Sequence, residues 1–264
     1  MTQTHSVSIE GAVVTKTYVS TEREEHLREW AALRAISAQA PDLVPAPLEL
    51  IAAPSPQLIA EPSRQLAGGP SLLMSVVPGR SLVGVLTPAE LDGLADALRT
   101  LWSLPTDGVL PGLLPVLIER VRGDIHAFSA EGVVEEARLA AAEWLADGPD
   151  LLLEPSASVI GHGDPNLANY LWDGERVRIV DFEDAGVSDV AVELATLVEH
   201  LSARQTDWSA FLGRFPVDPL RLLTARRLWA IFWLTLLRPG GPSAHRNPPE
   251  TPVEQANRLV ALLA

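Results

Sequence analysis

The spacing of hydrophobic positions changes once along the chain. Up to about residue 77 they alternate in short runs of strand length, and beyond Pro78-Gly79 they recur every three to four residues over helical lengths. Residues 6–9 alternate, Glu10-Gly11 reads as a turn, and 12–19 is rich in β-branched residues, which predicts a hairpin with Lys16 in its second strand. Thr21 and Glu24 have capping-box spacing and predict a helix over 22–37, with Glu29 on the face of Leu33 and Ile36. A carboxylate among apolar neighbours needs a partner to offset its desolvation. Lys16 is the nearest candidate; Glu24 and Glu25 compete for it, and a solvated Glu29 beside a solvated lysine is the alternative.

Residues 48–52 and 72–77 read as two further strands, separated by a Pro, Ser, Gly and Ala-rich loop with one weak strand at 57–61. The Pro78-Gly79 break predicts a domain boundary, with an amino-terminal lobe over 1–77 and a helical lobe over 78–264. Thr87-Pro88-Ala89-Glu90 joins a capping box to a proline at the first helical position and opens an amphipathic helix. Further helices are predicted over 114–128, 132–146, 189–203, 207–212 and 218–237, with a last short one opened by Thr251 and Glu254. Trp229, Phe232 and Trp233 follow helical spacing and are expected in the core.

With 264 residues and 47% hydrophobic content, the chain can bury the core of one large or two modest domains. A net charge of −14 excludes a field that gathers nucleic-acid phosphates and draws in cationic ligands, with solubility alone as the alternative. Cysteine is absent, so disulfides and thiolate metal sites are excluded. The start lacks signal-peptide features, and the strongest apolar run, 228–237, is about half a membrane span, so a cytoplasmic protein is expected.

Candidate chemistry gathers at His162-Gly163-Asp164 and Asn169, answered downstream by Asp181-Phe182-Glu183-Asp184. A hairpin turning at Asp173-Gly174 predicts that the ends of its two strands return side by side, with Asp164, Asn169 and Asp181 around one space. Two carboxylates and an amide form an oxygen-rich set suited to Mg²⁺ and to holding a hydroxyl.

In the order Lys16, Glu29, Pro78-Gly79, His162-Gly163-Asp164, Asn169 and Asp181, the chain resembles the aminoglycoside phosphotransferase and choline kinase group, relatives of protein kinases. The resemblance implies an α+β, bilobal protein-kinase-like fold, with a shortened antiparallel-sheet lobe and a larger helical lobe carrying the catalytic hairpin. It implies transfer of the γ-phosphate of ATP, or GTP, to a hydroxyl. Asp164 is then the catalytic residue, Asn169 and Asp181 hold Mg²⁺, and Lys16, held by Glu29, contacts the phosphates. Met74-Ser75-Val76-Val77 present their backbone to the adenine, and His162 supports the loop. Asp189 and Glu193 stand where the family carries acidic residues that brace the catalytic loop, and a helix N-cap explains Asp189 equally. Glu183 either assists the metal or faces solvent.

Only about ten residues precede the Lys16 strand, with Gly11 the sole glycine where kinases carry a glycine-rich cover, so weak or acceptor-dependent nucleotide binding is expected. Glu183, Asp184, Asp189, Glu193 and Glu199, with the net charge, favour a cationic acceptor such as an aminoglycoside or another basic antibiotic. Choline, homoserine, sugars and macrolides are alternatives. His245, Arg246 and Asn247 either close over the acceptor or are ordinary loop residues. Two other classes stay open: a binding pseudokinase, and a metal-dependent hydrolase using His162, Asp164 and Asp181.

Overall fold

The alternating start folds as a hairpin, with β1 (Ser6–Glu10) antiparallel to β2 (Val13–Thr17), Val7 opposite Lys16 and Ile9 opposite Val14. The computed structural model describes residues 5–19, 21–52 and 69–264; the weak strand expected at 57–61 lies outside them. After the hairpin come α1 (Glu25–Ser37), β3 (Pro47–Ile51) and β4 (Ser71–Ser75). The strands form an antiparallel sheet in the order β1-β2-β4-β3, so Lys16 sits on an inner strand opposite Leu72. Ala32, Leu33 and Ile36 of α1 are fully buried in the core it shares with the sheet.

The helix does not begin as its spacing predicts. Glu24 lies in the left-handed region at φ 55° with its N–H on the Thr21 carbonyl, and no side chain caps α1. A tight turn has absorbed the four residues of the expected box, leaving Thr21 outside the helix.

Gly79, at φ 132°, follows β4 and lies so close to Leu171 that a Cβ there would stand 2.9 Å from the Leu171 carbonyl carbon. This approach lets β5 (Arg80–Ser81) pair with the hairpin described below. The box at the next helix does form: α2 (Pro88–Ser103) has the Thr87 N–H on Glu90 at 2.8 Å and the Glu90 N–H on the Thr87 hydroxyl at 3.3 Å. Then come α3 (Leu114–Asp124) and α4 (Gly132–Trp144).

The central strands pair differently from the sequence expectation. β6 (Val159–Gly161), which precedes His162, does not join the hairpin; that is made by β7 (Tyr170–Trp172) and β8 (Val177–Ile179). β6 pairs instead with β9 (Gly186–Ser188). The loop bearing Asp164 therefore hangs between two small sheets.

Next, α5 (Val190–Glu199) is buried at every position from Ala191 to Glu199, as a helix covered on all sides must be. Leu194, Leu197 and Val198 enter the core shared with the sheet and α2, while Val192 and Ala195 enter a second core with α3, α4 and the later helices. α6 (Ser209–Leu212) puts Phe211 in the first core, and the later helices of the second are α7 (Pro219–Leu237) and α8 (Thr251–Leu263). Thr251 is itself the first residue of α8, so the box expected with Glu254 is not formed. Among the described residues no helix is long and apolar enough to cross a membrane.

Candidate active site

Alternation on β2 places Lys16 and Tyr18 on one side of the strand, and both point at Glu29 of α1. Lys16 Nζ donates to Glu29 at 2.8 Å and Tyr18 Oη donates to the same oxygen at 2.6 Å. The other Glu29 oxygen accepts the Phe182 N–H at 3.2 Å. Lys16 also contacts Asp181, and Glu183 at 2.5 Å. Burial disfavours its ammonium, but the carboxylates of Glu29, Asp181 and Glu183 outweigh that and hold its pKa above the usual lysine value. Asp181 is lowered for the reciprocal reason: burial opposes its charge, and Lys16 overcomes the opposition. Glu183 goes the other way. Burial pushes it up to about 7 against the pull of Lys16.

His162 fixes the loop that follows β6. Its Nε2 faces the Val180 carbonyl at 2.9 Å, which assigns the proton to that nitrogen, and its Nδ1 accepts the Asp164 N–H at 3.2 Å. The backbone N–H of His162 goes to buried Glu193 at 2.8 Å. With both ring nitrogens engaged, His162 has no lone pair for a metal, which removes the hydrolase reading. Asn169 donates its Nδ2 to the Asp164 carbonyl at 2.9 Å, and its Oδ1 has no protein partner among the described residues. Asp181 leaves β8 at φ 70° with its side chain 38% exposed. The Asn169 Oδ1 and the Asp181 oxygen that Lys16 does not engage make a hard donor set, and these residues fit Mg²⁺.

Asp164 lines a cleft of about 510 Å³, with Asp184, Arg23 and Arg120 also on its walls. Burial raises its pKa, His162 opposes this, and Asp181 and Asp184 add to it. His200 Nε2 stands 3.5 Å from the Asp164 carboxylate, and burial holds that imidazole down to about 4, so it is neutral.

The other expected acceptor carboxylates are spoken for. Glu199 is fully buried and bound by Arg226 at 2.7 Å and by Arg258, and it does not line the cleft. It was expected at the acceptor; two arginines from α7 and α8 neutralise it within the helical core instead. Asp189 caps α5 by accepting the Val192 N–H at 3.0 Å and pairs with Arg221 at 2.7 Å. Glu193, not Asp189, therefore holds the loop. Asp184 is paired with Arg23 at 2.7 Å.

Met74 and Ser75 end β4, an inner strand, and Val76 and Val77 follow it. The Ser75 N–H goes to Ala46 and the Val76 N–H to Ala12, each at 2.9 Å, whereas the Val77 N–H has no partner among the described residues. His245 and Arg246 are exposed and lie outside the cleft lining.

Several contributors escaped the sequence reading. Trp229, Phe232 and Trp233 are half-buried and form a wall of the cleft; Trp229 and Phe232 also pack against the second core, as their spacing suggested, but none of the three is enclosed in it. Helical spacing tells which residues share a face but not what the face meets. Tyr18 had a signal, two residues after Lys16 on a strand. Arg23 and His200 had none.

A model of the phosphotransferase enzyme family (APH) matches residues 8–229. The chain belongs to this family. It is a phosphotransferase with the fold of the small-molecule kinases. A choline/ethanolamine kinase family protein from Mesorhizobium loti is similar in structure, with 17% identity, TM-score 0.67, and 99% of this chain and 85% of that one covered. Choline kinase LicA from Streptococcus pneumoniae has 15% identity and TM-score 0.63 over 100% of this chain and 90% of its own. A thermostable mutant of aminoglycoside phosphotransferase APH(4)-Ia, in ternary complex with ADP and hygromycin B, has 15% identity and TM-score 0.63 over 98% and 92%. No curated protein matches the sequence.

Proposed function

We propose that this phosphotransferase moves the γ-phosphate of ATP to a hydroxyl of a small molecule held in the cleft beside Asp164. The observation carrying this reading is the convergence on Asp181: Lys16 reaches it from the sheet, and Glu29 holds both Lys16 and the Phe182 N–H beside it. The division of labour is a nucleotide lobe over 1–77 and an acceptor lobe over 78–264.

Glu29 is the permanent partner of Lys16, since its two oxygens are also fixed by Tyr18 and Phe182. The contacts of Lys16 with Asp181 and Glu183 are those that incoming phosphates replace. Asn169 and Asp181 would hold Mg²⁺, which neutralises phosphate charge when bound. The free Val77 N–H at the end of the 74–77 segment is available to the adenine edge, while Ile9 and Val14, paired across β1 and β2, offer an apolar cover. Asp164 accepts the hydrogen bond of the acceptor hydroxyl and takes its proton as the phosphoryl group is transferred. Its raised pKa makes the carboxylate a better base than an ordinary aspartate. Availability of ATP is consistent with a cytoplasmic setting.

The test is acceptor-dependent ATP consumption by Asp164→Asn. The variant should fold normally by circular dichroism and lose about 10²–10⁴ in kcat. Turnover at the wild-type rate would remove Asp164 from the chemistry, and Mg²⁺-dependent nucleotide binding without any phosphorylated product would favour a pseudokinase.

A further inference from the structure

The wall of the cleft opposite the loop is aromatic. Trp229 meets Phe232 edge to face at 5.1 Å, Phe232 meets Trp233 at 5.6 Å, and Trp233 meets His200 at 4.9 Å. His200 in turn stands 3.5 Å from Asp164, so the ladder of rings runs from the cleft to the carboxylate that accepts the hydroxyl. Leu117 of α3 is also on the lining. A half-buried aromatic ladder of this kind is rigid and presents flat apolar area at little entropic cost.

The charges do not suit a polycation. Of the five acidic residues expected at the acceptor, Asp184 and Glu193 line the cleft. Asp184 is paired with Arg23 at 2.7 Å, a guanidinium it shares with Glu25, and Glu193 is buried under the His162 N–H at 2.8 Å. Arg120 lies 5.8 Å over Phe232 and is itself paired with Asp124 at 3.4 Å, so no acidic side chain of the wall is added by that pair. An ammonium brought here loses water and gains no free carboxylate except Asp164, whose role is the hydroxyl. The net charge of −14 is therefore a property of the whole chain and not of this cleft.

We infer that the acceptor is a neutral alcohol on an aromatic or alicyclic frame, laid against Trp229, Phe232 and Trp233 with its hydroxyl at Asp164. This rests on the phosphotransfer reading, and a cleft of about 510 Å³ suits a ligand of drug-like size.

The experiment compares two probe sets with ATP and Mg²⁺: estradiol and 2-(1-naphthyl)ethanol against kanamycin and neomycin. Binding is read as quenching of tryptophan fluorescence and transfer as added phosphate by mass spectrometry. The neutral alcohols should quench and acquire phosphate, and the aminoglycosides should do neither. Trp229→Ala should raise KM for the alcohol about tenfold, with Trp229→Phe restoring it, and Phe232→Ala should act like Trp229→Ala if that variant folds poorly. Phosphorylated kanamycin or neomycin, or neutral alcohols that neither bind nor react, would overturn the acceptor class. Alcohols that bind, and lose binding in Phe232→Ala, with no phosphate transferred would uphold the ligand class of the cleft, overturn the alcohol's role as acceptor and remove the phosphotransfer reading.

Discussion

Glu29 and Phe182 are joined by a hydrogen bond of 3.2 Å from the Phe182 N–H to Glu29 Oε1, across 153 positions of sequence. This bond fixes the backbone next to Asp181, which holds a left-handed φ of 70°. The same carboxylate serves Lys16 and Tyr18, so one residue of α1 sets both the lysine and the aspartate proposed to face the phosphates.

Glu29→Leu should therefore be severely destabilising. It leaves the Tyr18 hydroxyl and the Phe182 N–H without their acceptor in a buried site and takes from Lys16 one of its three carboxylate partners, at a cost of about 3–5 kcal/mol. Glu29→Gln keeps an acceptor oxygen and removes only the charge, so it should cost less in stability while still impairing nucleotide binding. Urea unfolding of both variants checks this. A Leu variant as stable as the Gln variant would show that Glu29 does not anchor the segment.

The neutral state of His200 gives a pH dependence. Burial lowers its folded pKa from 6.5 to about 4, so the unfolded chain binds the proton more readily between those values. A depressed folded pKa contributes stability that is present above 6.5 and lost as pH falls toward 4, on the order of 3 kcal/mol over the whole range. His200→Gln should flatten the fall in unfolding free energy between pH 7 and pH 4.5. Arg204 and His162 also disfavour the proton on His200, and Asp164 faces it at 3.5 Å, so the comparison is of slopes and not of absolute stabilities. Identical slopes in the two proteins would mean that His200 is protonated in the fold.

These residues also show which features the sequence made readable. Glu29 was legible because i, i+4 and i+7 spacing puts a charge on an apolar face, and a lysine on the preceding strand is its nearest offset. Thr87 to Glu90 was legible because Pro88 fixes where the helix starts, whereas the same spacing at Thr21 lacked that constraint and became a turn. Glu199 was misread because its charge is local information and its arginine partners on α7 and α8 are not. The β6–β9 pairing was missed for a similar reason: three-residue strands carry too little pattern to select among partners.

Gly163, between His162 and Asp164, tests whether the loop tolerates any change of shape. Its φ is 82°, and a Cβ built there would lie 2.2 Å from the Asp184 carbonyl oxygen and 2.9 Å from the Asp184 Cβ. Backbone stands on both sides of the clash, so no side-chain rotation relieves it. Gly163→Ala must pay the left-handed strain, about 1–2 kcal/mol, and also push the Asp184 segment away from the loop. That movement displaces Asp164 relative to Asp181, whose alignment the proposed transfer needs, so activity should fall by more than stability. The expected outcome is a modest drop in Tm with a loss of about 10²-fold in kcat. Gly174→Ala serves as control: it has φ 104° and nothing within 4 Å of its Cβ, so it should show the strain in Tm and leave kcat near wild type. Equal losses of kcat in the two variants would mean that backbone strain alone, not the contact with Asp184, governs the loop.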